Sequence, residues 1–206
     1  MSRLYKNWFW HIRRLYYRPE YLIMATILDQ TYNESNQDDF AVYRNSNTIY
    51  LVGQQITPSI SASINQVKFN LSKAASPTGN IWVEVWSDTG SNLPNAQTGI
   101  DSSTIDIATL DADPTFALKT FTFATPVPVV SGTKYWLVLN SDMTVVGGGN
   151  YVEVGYDNSS ASYAGGIYAH ADNLGAWSST STRDASFYEY YDDMTIIRSA
   201  AFLFFT

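Results

Sequence analysis

The chain has no cysteine among its 206 residues, so a disulfide framework, a thiolate metal site and a cysteine nucleophile are all excluded. Histidine is almost as scarce, with only His11 and His170, and nucleophilic hydrolysis needs a base beside its serine. His170 lies in a Gly/Ala/Tyr-rich stretch and reads as a surface side chain. None of the G-x-S-x-G, H-E-x-x-H or phosphate-loop patterns occurs, and Gly147-Gly148-Gly149 lacks the lysine and following helix that a phosphate loop requires. No apolar run approaches the roughly 18 residues of a membrane span; the stretch from Tyr21 to Leu28 is short and holds Thr26. Arginines scattered through the first segment interrupt the apolar core of an export signal, so a standard signal peptide is not expected.

Charge is also sparse, at 15% of residues against 45% hydrophobic and 15% aromatic. That mixture favours pleated, half-buried surfaces over helices. The net charge of −7 is unevenly spread. Residues 1–23 hold Arg3, Lys6, Arg13, Arg14 and Arg18 against Glu20, while seven bases face eighteen acids from Met24 onward, a balance of −11. A body of that sign repels phosphate backbones, so no nucleic acid is expected to bind it.

Between Ser2 and Tyr17 a 100° turn per residue gathers Leu4, Trp8, Ile12 and Leu15 on one side, flanked by Tyr5, Phe9 and Tyr16, with the bases opposite. The spacing predicts a basic amphipathic helix that Pro19 closes. Three readings stay open for it: a docking helix for a neighbouring subunit, a helix on a membrane surface, or a non-native extension ahead of a start at Met24. Docking is favoured over membrane contact, through Trp8, Phe9, Ile12, Leu15, Arg13 and Arg14. Residues 24–39 read as a linker, 40–199 as the main domain and 200–206 as an apolar tail.

After the polar stretch Asn33 to Asp39, short alternating runs are separated by turn residues at spacings near ten, the pattern of an all-β, two-sheet antiparallel sandwich or jelly roll. Val67, Phe69 and Leu71 alternate. Ile81, Val83 and Val85 share one face of a strand, and Trp82, Glu84 and Trp86 share the other. Tyr135 to Leu139 is apolar on both faces and belongs mid-sheet, under cover on both sides. Further strands are predicted at 150–156, 166–169, 185–191 and 194–198. Turn chemistry marks Ser76-Pro77-Thr78-Gly79-Asn80, Asp88-Thr89-Gly90, Asp111 to Pro114 and Ser131-Gly132-Thr133.

Several of these runs, in this order, resemble jelly-roll modules of bacterial surface and phage virion proteins. They are Leu71-Ser72-Lys73, Ser76-Pro77-Thr78-Gly79-Asn80, Val83-Glu84-Val85-Trp86-Ser87-Asp88, Leu93-Pro94, Phe121-Thr122-Phe123 and Ser131-Gly132-Thr133-Lys134-Tyr135-Trp136-Leu137-Val138-Leu139. The resemblance covers about residues 40–198 and implies a carbohydrate-binding-module-like jelly roll used for display, attachment or capsid decoration without catalysis. The basic helix and the tail Ala200 to Phe205 lie outside the module. Phe202 and Phe204 make that tail too greasy to stand free, so it is expected to pack on the body or a neighbour.

Three kinds of chemistry are available to the body. Glu84, Glu153 and Glu189 lie in predicted strands and are the carboxylates a glycosidase could pair, but their neighbours suggest solvent-facing positions and no enzyme is expected. Asp38, Asp39, Asp192 and Asp193, near the two ends of the domain, are candidate ligands for a structural calcium ion, with acidic turns in water as the favoured alternative. Asp111 and Asp113 read as a turn. Trp177 with Tyr163 and Tyr168, and Trp82 with Trp86, are candidate stacking platforms for sugar rings; for the Trp82–Trp86 pair, simple coverage of the sheet is favoured. The expected function is a non-enzymatic display or attachment protein of a phage-like particle. It would sit on a virion or extracellular surface as a homo-oligomer bound to neighbouring assembly subunits. The alternative is a module that binds a surface polysaccharide.

Overall fold

The computed structural model describes residues 21–33, 38–42, 50–143, 149–158, 161–172 and 176–197; within these, the side chains of 21–24, 38–42, 172 and 194–197 are left aside. The chain falls into two units, one of residues 1–24 with 194–206 and the other of 25–193. Of the first, only 21–24 and 194–197 are described, as strand. The predicted helix, with Trp8, Phe9, Ile12, Leu15, Arg13 and Arg14, and the tail with Phe202 and Phe204 lie outside the described residues.

Fourteen strands are described and no α-helix among those residues. They are β1 (Tyr21–Tyr32), β2 (Asp38–Val42), β3 (Leu51–Ile56), β4 (Ala62–Ala74), β5 (Asn80–Asp88), β6 (Pro94–Asp101), β7 (Ile105–Asp106), β8 (Ala117–Val129), β9 (Tyr135–Ser141), β10 (Tyr151–Asp157), β11 (Tyr168–Asp172), β12 (Ala176–Thr180), β13 (Asp184–Ala185) and β14 (Phe187–Ile197). A 3₁₀ turn, Ile107–Thr109, is capped by the Asp106 side chain, which accepts from the Ala108 amide. The stretch read as a linker is strand over much of its length. Ala25 to Asn33 is largely exposed or half-buried, so a backbone ladder rather than a buried face forms β1, and alternation could not reveal it. The strands expected separately at 185–191 and 194–198 run together as β14.

The strands form two antiparallel sheets packed as a sandwich. The first has the order β1-β14-β4-β10-β13, with β2 also on β10 and β8 also on β4. The second has the order β12-β11-β3-β9-β5-β6, with β7 also on β5. Strand β4 organises the first sheet: its first half pairs with β14, Phe69 opposite Phe187, and its second half with β10, Leu71 opposite Val154. Strand β8 lies along most of the length of β4 on the other side.

Period-two alternation sends one face of each sheet into a shared core. Val67, Phe69 and Leu71 of β4, Phe121 and Phe123 of β8, and Phe187 of β14 come from the first sheet. Ile81, Val83 and Val85 of β5 meet them with Leu137 and Leu139 of β9 and Val52 of β3. Full burial of each such side chain is worth about 1.5–3 kcal/mol before its entropy is counted. The Ser76–Asn80 turn is fastened to the end of β9: the Asp142 carboxylate accepts from the Asn80 backbone amide and, at 3.1 Å, from its side chain. Gly79 sits at φ +115°, where an added Cβ would meet Asp142 Oδ1 at 2.7 Å.

Candidate functional site

The second sheet has an outer face that is also aromatic, and there the sequence has concentrated its indoles. Strand β9 is buried on both sides, as expected: Leu137 and Leu139 point into the core, while Trp136 and Val138 belong to a second apolar cluster with Ala169, packed by Leu51, Trp86, Ile167 and Trp177. Register carries that face across the sheet. Trp136 lies opposite Trp86 of β5 and opposite Gln55 of β3; Val138 lies opposite Glu84 and Gly53.

Glu84 organises this face. Its Oε1 accepts from Trp82 Nε1 at 2.8 Å and from Asn140 Nδ2 at 2.9 Å, and its Oε2 accepts from Trp86 Nε1 at 2.7 Å. Trp82, Glu84 and Trp86 are alternate residues of one strand, so both rings fold back over the carboxylate between them. Glu84 is consequently only 4% exposed, which corrects the expectation that it faces solvent. A second carboxylate does similar work one step along: Asp88 Oδ2 accepts from Trp136 Nε1 at 2.8 Å and from Gln55 Nε2 at 2.8 Å. Gln55 Oε1, on a residue 1% exposed, has no donor among the described residues.

The fourth indole arrives from the far edge. Trp177 of β12 meets Trp86 of β5 edge to face, centroids 5.9 Å apart at 71°, although β11, β3 and β9 lie between their strands. Gly53 makes that reach possible. A Cβ there would sit 3.4 Å from Trp177 Cζ3 and 3.2 Å from Trp136 Cε3, so the bare backbone forms the floor on which the two rings lie. Trp136 is fully buried, whereas Trp82, Trp86 and Trp177 remain partly exposed. The result is a set of half-exposed indoles whose N–H groups on β5 are already tied down.

The structure thus joins Trp177 to Trp86, on the face that Trp82 shares, and separates it from the tyrosines it was expected to accompany. Tyr168 is 0% exposed and belongs to the core between the sheets, because its place on β11 alternates with Ala169 on the outer face; it cannot stack on a ligand. Tyr163 packs edge to face on Phe187, 5.2 Å away, and donates to Gln30 Oε1 at 2.7 Å, again on the core side. His170, read as a surface residue, is half-buried beside the Tyr168 ring, 6.0 Å between centroids.

The other two strand carboxylates, Glu153 and Glu189, are brought neither beside Glu84 nor beside each other. Glu153 is 2% exposed on the outer side of the first sheet, where Ser72 Oγ donates to it, and Glu189 is 1% exposed on the core side, opposite Val67. Both were expected to face solvent; alternation along β4 instead puts them on opposite faces of one sheet, with Glu84 in the other. Burial, reinforced by Asp29, raises the Glu189 carboxyl to about 8, against the pull of the Gln30 backbone amide. Asp184 is raised to about 6, chiefly by burial, although Gln54 and the Tyr163 amide donate to it.

The four aspartates proposed for calcium are not brought to one place. Asp38 is opposite Tyr156, which on its other side is opposite Ala185. Asp192 lies seven residues beyond Ala185, roughly 20 Å along extended chain, where it accepts from Asn65. Among the described residues no group of three metal-ligating side chains forms. Asp111 instead pairs with Lys119 at 3.0 Å.

Compared with protein-family models, with curated proteins and with solved structures, the chain matches none.

Proposed function

We propose that this protein is a non-catalytic binding domain that presents the tryptophan face of its second sheet to a glycan. The observation that carries the reading is the grip of Glu84 on both Trp82 and Trp86. Their orientation is fixed before any ligand arrives, and the cost of ordering those side chains on binding is correspondingly small. Planar indoles offer the apolar faces of sugar rings a matching surface, and the carboxylate and amide oxygens around them accept from hydroxyls. Glu84 already has three donors, so its chemistry is that of a brace for the rings and not of an acid or base. The jelly-roll reading of the sandwich, drawn from the sequence resemblance, agrees with this use and belongs to the same proposal.

Display on a phage-like particle, with a homo-oligomer bound to assembly subunits, draws its support from the predicted basic helix, the apolar sequence of the tail and the resemblance alone. A host-attachment protein would unite the two readings.

The test is a glycan array with the full chain, followed by titration of any polymer retained. Trp177→Ala should weaken binding by about 2 kcal/mol or more, roughly thirtyfold, with an unchanged far-UV spectrum. An array on which the folded wild-type protein binds nothing would overturn the proposal.

A further inference from the structure

We infer that the tryptophan face selects neutral glycan chains and turns away those carrying uronate or sulfate groups; this rests on the glycan reading above. Three carboxylates border the rings: Glu84, Asp88 and, on the neighbouring strand β6 directly opposite Glu84, Asp101. Each serves as an acceptor for the protein's own donors. Glu84 holds two indoles and Asn140, Asp88 holds Trp136, Gln55 and the Gly90 amide, and Asp101 takes the Gln97 side chain. What the face offers an incoming group is therefore lone pairs and negative potential, suited to hydroxyl donors and opposed to anions.

Among the described residues, cations do not compensate. Of the five cationic side chains among the described residues, Lys68 lies over Tyr190, Lys73 reaches the Ala108 carbonyl, Lys119 pairs with Asp111 and Arg183 donates to Asn158. The fifth, Lys134, immediately precedes β9, and its ammonium donates to Asn92 at 2.7 Å. Asp101 senses the same field: desolvation and then the Glu84 charge raise its carboxyl above the ordinary range, against the Gln97 hydrogen bond. A ligand anion laid across the rings would meet that potential too.

The experiment uses a matched pair: a neutral hexose polymer retained by the full chain, and the same polymer with part of its primary alcohols oxidised to uronate. Affinity electrophoresis at low salt should show at least about tenfold weaker retention of the oxidised form. The ratio should shrink in 0.5 M salt, where charges are screened beyond a few ångströms, and should narrow in Asp101→Asn. Equal or tighter binding of the oxidised polymer, or a ratio indifferent to salt, would overturn the inference while leaving the platform standing. Retention of no polymer at all by folded protein would remove the platform and this selectivity with it.

Discussion

Replacing Glu84 with glutamine tests the organisation of the tryptophan face at its centre, since the substitution keeps shape and removes charge. The carboxylate accepts three hydrogen bonds at 2.7–2.9 Å from a position 4% exposed. An amide retains one acceptor oxygen, which can serve Trp82 and Asn140, but it turns an NH2 group toward the Trp86 N–H. One charge-assisted bond worth about 1.5–3 kcal/mol is lost, and a half-covered donor is left facing another donor. The expected destabilisation is about 3 kcal/mol. With a urea slope of about 2 kcal/mol per molar for a domain of this size, the midpoint should fall by roughly 1.5 M. Indole emission can follow the transition, and the near-UV circular dichroism of the native state should change because Trp86 is released against Trp177. A variant whose midpoint stays within about 0.25 M of wild type, with the same near-UV spectrum, would refute the claim that Glu84 braces these rings.

Other consequences can be measured on the same protein. Glu189 has a carboxyl raised to about 8 from an ordinary 4.5, so the folded state holds a proton that the unfolded chain releases, and stability should fall as pH rises through that window. Between pH 6 and 8, above the Asp184 carboxyl at about 6, the loss should be on the order of 3 kcal/mol. Glu189→Gln should flatten it; an equal slope in urea midpoints of variant and wild type would contradict the assignment. Gly53→Val should lift Trp177 from the floor of the face and abolish its edge contact with Trp86, visible in near-UV circular dichroism, whereas Gly53→Ala needs only a few tenths of an ångström of adjustment. An unchanged Gly53→Val spectrum would mean that Trp177 does not lie where the structure puts it. Gly79→Ala combines φ +115° with a Cβ 2.7 Å from Asp142 Oδ1 and 3.0 Å from the Met143 backbone, and should lower stability by about 2 kcal/mol on denaturation; a neutral result would indicate that this turn relaxes freely.

Alternation made much of this architecture readable. Trp82, Glu84 and Trp86 had to share a face once Ile81, Val83 and Val85 went to the core, and Tyr135 to Leu139 had to lie under cover on both sides. What alternation does not report is what lies above a face. Glu84 read as solvent-exposed because its polarity is all that a linear pattern records, and the two indoles that close over it follow from side-chain direction. Trp177 presented the opposite problem. Its neighbours in sequence are small and polar, and its true partner, Trp86, becomes visible only when the order β12-β11-β3-β9-β5 is known. Tyr168 failed for want of phase: a short strand flanked by glycines does not announce which of its residues points inward. Gly53, the floor under two rings, carried no signal beyond being a glycine within a strand, though such residues do mark close approach.

Strand β14 lies between β1 and β4 in its sheet, and the Thr31 hydroxyl donates to the Phe187 carbonyl across 156 positions of chain. A sheet with that order cannot close from its first strands outward. During synthesis, the first half of β4 must wait for residues 187–191 to emerge before its flank beside β14 is covered, and until then it presents Val67 and Phe69 with an unpaired edge. Loop closure on this scale slows folding and lengthens exposure to wrong partners. That flank of β4 therefore stays open to wrong partners until the last strand described has been made.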